Sequence, residues 1–148
     1  MRFDLTVNQF TIELLLGKEL EVYDPDTWRP YYHAQDFANI ILKILNTRKE
    51  KISYEVFNVG SNDNNFTKRN IVDLLSKLVP NPKIKILTKG QDKRNYKVNF
   101  KKINTLLDHK PISLKRGIEE IIQEFQKGKF RDYEKNLKSY GNFEIINE

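Results

Sequence analysis

Cysteine is absent from the sequence, and methionine and tryptophan occur once each. Without a thiol there is no disulfide, no thiolate nucleophile and no zinc site of the cysteine type, which fits a reducing cytoplasm. The two histidines, His33 and His109, stand in unrelated contexts and are too few for a convincing metal site or catalytic triad. Glycine is sparse as well. The six glycines fall at positions 17, 60, 90, 117, 128 and 141, so no closely spaced set exists to form a phosphate-cradling loop. No Gly-x-Ser-x-Gly occurs, and none of the seven tyrosines is followed four residues later by a lysine, the spacing that holds a phenol ready for proton transfer. Long uncharged apolar runs are missing too, and the first residues read MRFDLTVNQF. A soluble protein with neither a membrane span nor a signal peptide is therefore expected, in the cytoplasm.

What is present is enough for one core. The 148 residues are 39% hydrophobic and 31% charged, which predicts a single unit over residues 1–148 with a poorly defined tail over 131–148. The net charge of +6 raises the question of a polyanionic partner. The charge is spread, however: Lys49, Lys51, Lys101, Lys102, Lys127 and Lys129 alternate with acidic residues as solvated helix faces do. No helix-turn-helix or aromatic RNA-binding pattern accompanies them, so a nucleic-acid partner is not expected, while a smaller phosphate ligand remains open.

Periodicity gives an α/β order. Val7, Phe10, Leu14 and Leu15, with Phe3 ahead of them, trace a helix that stops at Gly17, and residues 19–23 alternate as a short strand. Pro30 favours an extended Arg29, so residues 29–33 read as a strand entered from its end. Asp36 occupies an N-cap position before the stripe Phe37, Ile40, Ile41, Ile44 and Leu45. Residues 54–60 read as a buried strand, the asparagine-rich 61–65 as a turn first and a ligand contact second, and Thr67 as the cap of a helix through Leu78. Residues 84–87 and 96–100 are further strand candidates. A short helix carries Ile103, Leu106 and Leu107, a longer one runs from its cap Ser113 to Gly128, and one or two helical turns follow Arg131.

Arg29 is conspicuous, because "WRPYYH" sets a guanidinium among residues suited to an apolar interior. It could cap a turn or pair with Asp24 or Asp26. Tyr31, Tyr32 and His33 read as packing residues, and Asp36 as a helix cap.

Four blocks taken in order, "RFDLTVNQF", "LEVYDPDTWRPYYHAQDFANIIL", "EVFNVGSNDNNFT" and "DKRNYKVNFKKINTLL", resemble the C-terminal part of extended short-chain dehydrogenase/reductases, the NAD-dependent nucleotide-sugar epimerase/dehydratase family. The resemblance reaches to about Phe125. It implies a Rossmann-type α/β fold of which this chain is the substrate-binding C-terminal part, the dinucleotide-binding N-terminal half being absent.

The resemblance also assigns roles. It places Arg29 on the diphosphate of a nucleotide sugar, and the backbone of Glu21 and the ring of Tyr23 beside the base. A second basic residue is implied ahead of the last short helix, where the family has an Arg-x-Gly-Asp-like segment and this sequence reads KGQDKR. Lys89 and Asp92 fall in those places, and either Lys89 or Arg94 meets phosphate. Asp4 and Asn8 lie where the family closes its substrate cleft. NAD or NADP would be bound by the half that is not here, and none by this chain alone. The implied function is the nucleotide-sugar-binding portion of an NAD(P)-dependent epimerase, dehydratase or reductase, not catalytic by itself; a separate N-terminal Rossmann subunit is one partner this implies. A stand-alone nucleotide-sugar-binding module or a non-catalytic interaction protein is the alternative.

Overall fold

The computed structural model describes residues 1–87 and 94–142. In chain order the elements are α1 (Thr6–Leu15), β1 (Glu19–Tyr23), β2 (Trp28–Pro30), α2 (Ala34–Leu45), β3 (Asn65–Thr67), α3 (Lys68–Leu78), β4 (Lys83–Leu87), α4 (Lys101–Leu106) and α5 (Leu114–Gln126). β1 pairs in parallel with β4, from Glu19 opposite Lys83 to Tyr23 opposite Leu87. β2 pairs antiparallel with β3, Arg29 facing Phe66.

The strand period decides which residues of β1 are inside: Leu20 and Val22 are buried, while Glu19, Glu21 and Tyr23 face outward. Leu20 and Val22 join Phe10 and Leu14 of α1, Ile71, Val72 and Leu75 of α3, and Ile118 of α5 in the main core. A second cluster gathers Phe3, Ile12, Ile121, Phe130 and Tyr133, and a third Ile40, Phe100, Ile103 and Leu107. Among the described residues no helix is long and apolar enough to cross a membrane.

Helix boundaries follow local chemistry. Gly17 takes φ +74° just past α1, the left-handed turn that ends a helix at low cost. Thr67 caps α3 with Asn70 reciprocating, and Ser113 caps α5 through Arg116 N–H. α2 departs from expectation: His33, not Asp36, is the cap, its Nδ1 accepting from Gln35 N–H. The helix begins early because extended backbone continues from Pro30 only as far as His33. Asp36 instead lies in the first turn, 1% exposed, where its Oδ2 accepts from Ile112 N–H at 2.7 Å and its Oδ1 stands 3.3 Å from His109 Nε2. It ties the start of α2 to the approach to α5.

Three strand expectations also change. The predicted strand over 29–33 pairs only over Trp28–Pro30, since Pro30 has no N–H, and contact continues as a single bond from Tyr31 N–H to Asn64 O. Residues 54–60 form no strand, because no strand beside them among the described residues offers its edge. Val56 is 82% exposed, its carbonyl taken by Lys102 Nζ at 2.8 Å. Residues 96–100 form no strand either, whereas the stretch read as a turn makes a 3₁₀ turn over Asn62–Asn64 and runs into β3 at Asn65. Beyond Arg131 the chain makes two 3₁₀ turns, Tyr133–Lys135 and Leu137–Tyr140.

Gly60 shows how tightly the third cluster closes. A Cβ there would stand 2.4 Å from the Phe100 ring, and Phe100 is itself buried against α4. Gly60→Ala should therefore destabilise by about 1–3 kcal/mol, through displacement of that ring. Thermal unfolding checks it, and an unchanged midpoint would contradict the packing.

Candidate functional site

β1 ends at Tyr23 and the chain turns through residues 24–27 into β2. Asp24, at φ +48°, makes the turn, with Thr27 N–H and Oγ1 both bonded to its carbonyl. α3 holds this turn from one side: Arg69 N–H bonds Pro25 O, the Arg69 guanidinium clasps Asp26 at 2.7 and 3.0 Å, and Lys68 Nζ reaches Tyr23 O at 2.8 Å. Asp26 is thus engaged by Arg69.

Arg29 emerges from this turn half-buried. One guanidinium nitrogen donates to Trp28 O at 2.8 Å, and the guanidinium carbon lies 4.8 Å from the centroid of the Tyr96 ring. A guanidinium stacked on an aromatic face keeps its planar donor fork fixed in direction, the arrangement that suits bidentate contact with phosphate or carboxylate oxygens. Trp28 points the other way, as the strand period requires, with Lys97 Nζ 3.6 Å from its ring centroid. Together with Asn62, Asn65, Val98 and Asn99 these two residues line an open cleft of ≈ 510 Å³.

The segment bearing Tyr96 is seated by asparagines. Asn95 Oδ1 accepts from Trp28 N–H at 2.9 Å, and Tyr96 N–H donates to Trp28 O at 3.3 Å. Asn65 Oδ1 accepts from Val98 N–H at 2.9 Å while its Nδ2 donates to Val98 O at 3.0 Å, and Asn62 Oδ1 accepts from Phe100 N–H at 3.0 Å. Arg94 lies two residues ahead of Tyr96 on the same segment.

Glu21 and Tyr23 come together on the exposed face of β1, joined by Lys85 of β4. Lys85 Nζ is 2.7 Å from Glu21 Oε1, and the Tyr23 hydroxyl donates to Glu21 Oε2 at 2.9 Å. Lys85 first, and then the Tyr23 hydroxyl, hold the Glu21 carboxyl below its usual range, and Glu21 in turn raises the Tyr23 phenol. β1 and β4 make a two-stranded sheet, so among the described residues the other edge of β1 carries no strand.

Asp4 and Asn8 make their contacts in a different group. Asp4 pairs with the Arg2 guanidinium at 3.0 and 2.5 Å and accepts from Asn142 N–H at 3.1 Å, and Asn8 Nδ2 donates to Arg2 O at 2.8 Å. Arg2, followed by Asn142, holds the Asp4 carboxyl well below the carboxylate range. Lys89 and Asp92 lie outside the described residues. The Tyr32 hydroxyl is buried, and burial first and the Asp36 charge second push its pKa up to about 12.

Tyr96, Lys85, Asn62, Asn65 and Asn95 were not singled out from the sequence. The signal for Tyr96 was its aromatic ring just after Arg94. Asn62 and Asn65 belonged to a stretch read as a turn first and a ligand contact second, and their part as clamps on another segment was missed, since nothing local tells which backbone a side-chain amide will bond.

The sequence matches no family model. Among solved structures, 87% of the chain superposes on 41% of dTDP-glucose 4,6-dehydratase from Bacillus anthracis strain Ames, solved in complex with NAD, with a TM-score of 0.66 and 24% identity. A further 75% match covers 36% of the PbgP3 protein from Burkholderia pseudomallei, with a TM-score of 0.57 and 18% identity. The α/β fold of the chain is shared with part of each of these proteins, as the resemblance to extended short-chain dehydrogenase/reductases led one to expect. The chain spans less than half the length of either neighbour. At these identities the likeness concerns the extended short-chain fold alone.

Among the described residues the glycines do not form a dinucleotide cradle. Gly17 ends α1, Gly60 lies under Phe100, and Gly117 faces the His33 ring from within α5. None of these stands at a strand-to-helix turn where a pyrophosphate would need close backbone approach, so no step through NAD is derived for them.

Proposed function

We infer that this chain is the nucleotide-sugar-binding portion of an NAD(P)-dependent epimerase, dehydratase or reductase, and that it does not catalyse the reaction by itself. The observation that carries the reading is the Arg29 guanidinium laid on Tyr96 just after the β1–β2 turn, a turn that the outward Tyr23 precedes. A diphosphate meeting Arg29 would form charge-assisted, directionally fixed hydrogen bonds in a half-buried setting. Arg94 or Lys89 would add a second cation, and the Tyr23 ring with the Glu21 backbone would flank the base. Asp4 and Asn8 would lie toward the sugar. The extended short-chain fold and the dehydratase neighbour support the same substrate class.

The partner follows from what is left uncovered. α2 is apolar around most of its circumference: Ile40 is buried, while Phe37, Ile41, Leu42 and Leu45 on the remaining faces are 44–74% exposed. A helix of this kind is one made to be covered on two sides. Residues 55–59, which follow the left-handed Tyr54, have strand composition and no strand partner among the described residues. Both would be covered by a parallel-sheet cofactor domain, joined to this chain or supplied as a separate subunit.

The test is a titration of the full chain followed by the emission of Trp28, the single tryptophan. dTDP-glucose and UDP-glucose are each added, with NAD as a control, and product is assayed in the mixture. Saturable binding of at least one nucleotide sugar, without conversion, is expected. Conversion by the purified chain, or no response to either nucleotide sugar, would overturn the proposal.

A further inference from the structure

The asparagine contacts have a consequence for ligand binding that depends on the nucleotide-sugar reading. Tyr96 is not held beside Arg29 by a strand ladder, since residues 94–100 form none. A carboxamide carries the same donor and acceptor as a peptide group, so one asparagine can stand in for one residue of a pairing strand. Asn65 does this: it bonds both the N–H and the carbonyl of Val98, at 2.9 and 3.0 Å, and its Nδ2 also lies 3.1 Å from Asn62 O. Asn65 belongs to β3, opposite Pro30, and Pro30 follows Arg29 on β2. The residue that receives Val98 is therefore fixed to the same pair of strands that presents the guanidinium.

Two residues before Val98 is Tyr96, whose ring lies against Arg29, and four before it is Arg94. We propose that Asn65 is a positioning residue for the phosphate site: it clips the 94–98 segment to the β2–β3 pair and so sets the Tyr96 platform on which Arg29 is oriented. Asn95, bonded to Trp28 N–H, is the second point of attachment. The device acts on the ligand through Arg29 and Tyr96, and Asn65 itself need not touch it. The order gained before binding is order the ligand does not have to impose, which is where the affinity arises.

The experiment compares the unaltered chain with Asn65→Ala, Asn65→Asp and Asn95→Ala, with uridine diphosphate and thymidine diphosphate as probes. Asn65→Asp keeps an acceptor for Val98 N–H but loses the donor. Gly60→Ala serves as the control, since it loosens the neighbouring Phe100 packing while leaving the Asn65 and Asn95 side chains in place. Binding is measured by calorimetry, the seating of the segment by Trp28 emission without ligand, and stability by thermal unfolding.

Asn65→Ala is expected to shift the ligand-free Trp28 emission and to weaken binding of the favoured diphosphate about tenfold or more. Asn65→Asp should fall between it and the unaltered chain, and Asn95→Ala should act in the same direction. Gly60→Ala should lower the unfolding midpoint with little loss of affinity. The clip is overturned if Asn65→Ala and Asn95→Ala both bind within about twofold of the unaltered chain. It is also overturned if Gly60→Ala loses as much affinity for an equal fall in midpoint, which would make the effect one of stability alone. If the unaltered chain binds neither diphosphate, the nucleotide-sugar reading fails and the positioning role falls with it; a Trp28 shift in ligand-free Asn65→Ala would then still show that the attachment exists.

Discussion

Arg29→Ala is expected to weaken binding of a nucleoside diphosphate sugar by roughly 10–100-fold, corresponding to about 1.5–3 kcal/mol for hydrogen bonds to a charged group. The expectation follows from the guanidinium's half-buried position and its fixed direction over Tyr96 at 4.8 Å. A point charge is not equivalent to an oriented fork. Arg29→Lys should therefore recover only part of the loss, because an ammonium offers neither the planar geometry nor the same stacking. The fold should tolerate both changes, since Arg29 belongs to none of the three apolar clusters. Calorimetry with each variant, alongside thermal unfolding, separates the two effects. Affinity unchanged in Arg29→Ala would remove Arg29 from the site.

Phe3→Ala should give the largest loss of stability. Phe3 is fully buried, and its ring meets Phe130 at 5.0 Å, Tyr133 at 5.1 Å and Tyr140 at 5.6 Å between centroids, two of the three contacts edge-on. Its N–H also donates to Tyr140 O at 2.6 Å. Removing the ring opens a cavity where the two ends of the described chain meet, and a buried Phe→Ala change costs about 3–5 kcal/mol. That is a large share of the roughly 5–15 kcal/mol by which a domain is stable. The tail should loosen with it, because Asp4 and Asn142 are held in the same neighbourhood. Urea unfolding measures the loss, and limited proteolysis should show earlier cleavage after residue 130. A loss below about 1 kcal/mol would mean that the cluster does not hold the tail.

The helices were legible in the sequence, and the site only in outline. Thr67, Ser113 and Gly17 act as the composition of those positions predicts, because capping is settled within a few residues. Asp36 was misread for the opposite reason. Its partners, Ile112 and His109, are more than seventy residues away, and only the folded chain makes its carboxylate a tether. Residues 54–60 have the composition of a strand but not its structure, since a strand exists only in a ladder and no neighbour among the described residues supplies one. Arg29 stood out because a charge between apolar residues has to be accounted for. Tyr96 and Asn65 did not, because each acquires its part in the site from a contact across more than thirty residues.

The most direct measurement is amide chemical-shift mapping of the full 17.6 kDa chain, titrated with uridine diphosphate and thymidine diphosphate. Binding at the proposed site predicts that perturbations concentrate at Glu21–Tyr23, Trp28–Arg29 and Arg94–Val98, and saturate with a single affinity. Perturbations confined to the exposed cations of α5, Lys115 and Arg116, or to the apolar face of α2, would contradict a nucleotide-sugar site at Arg29.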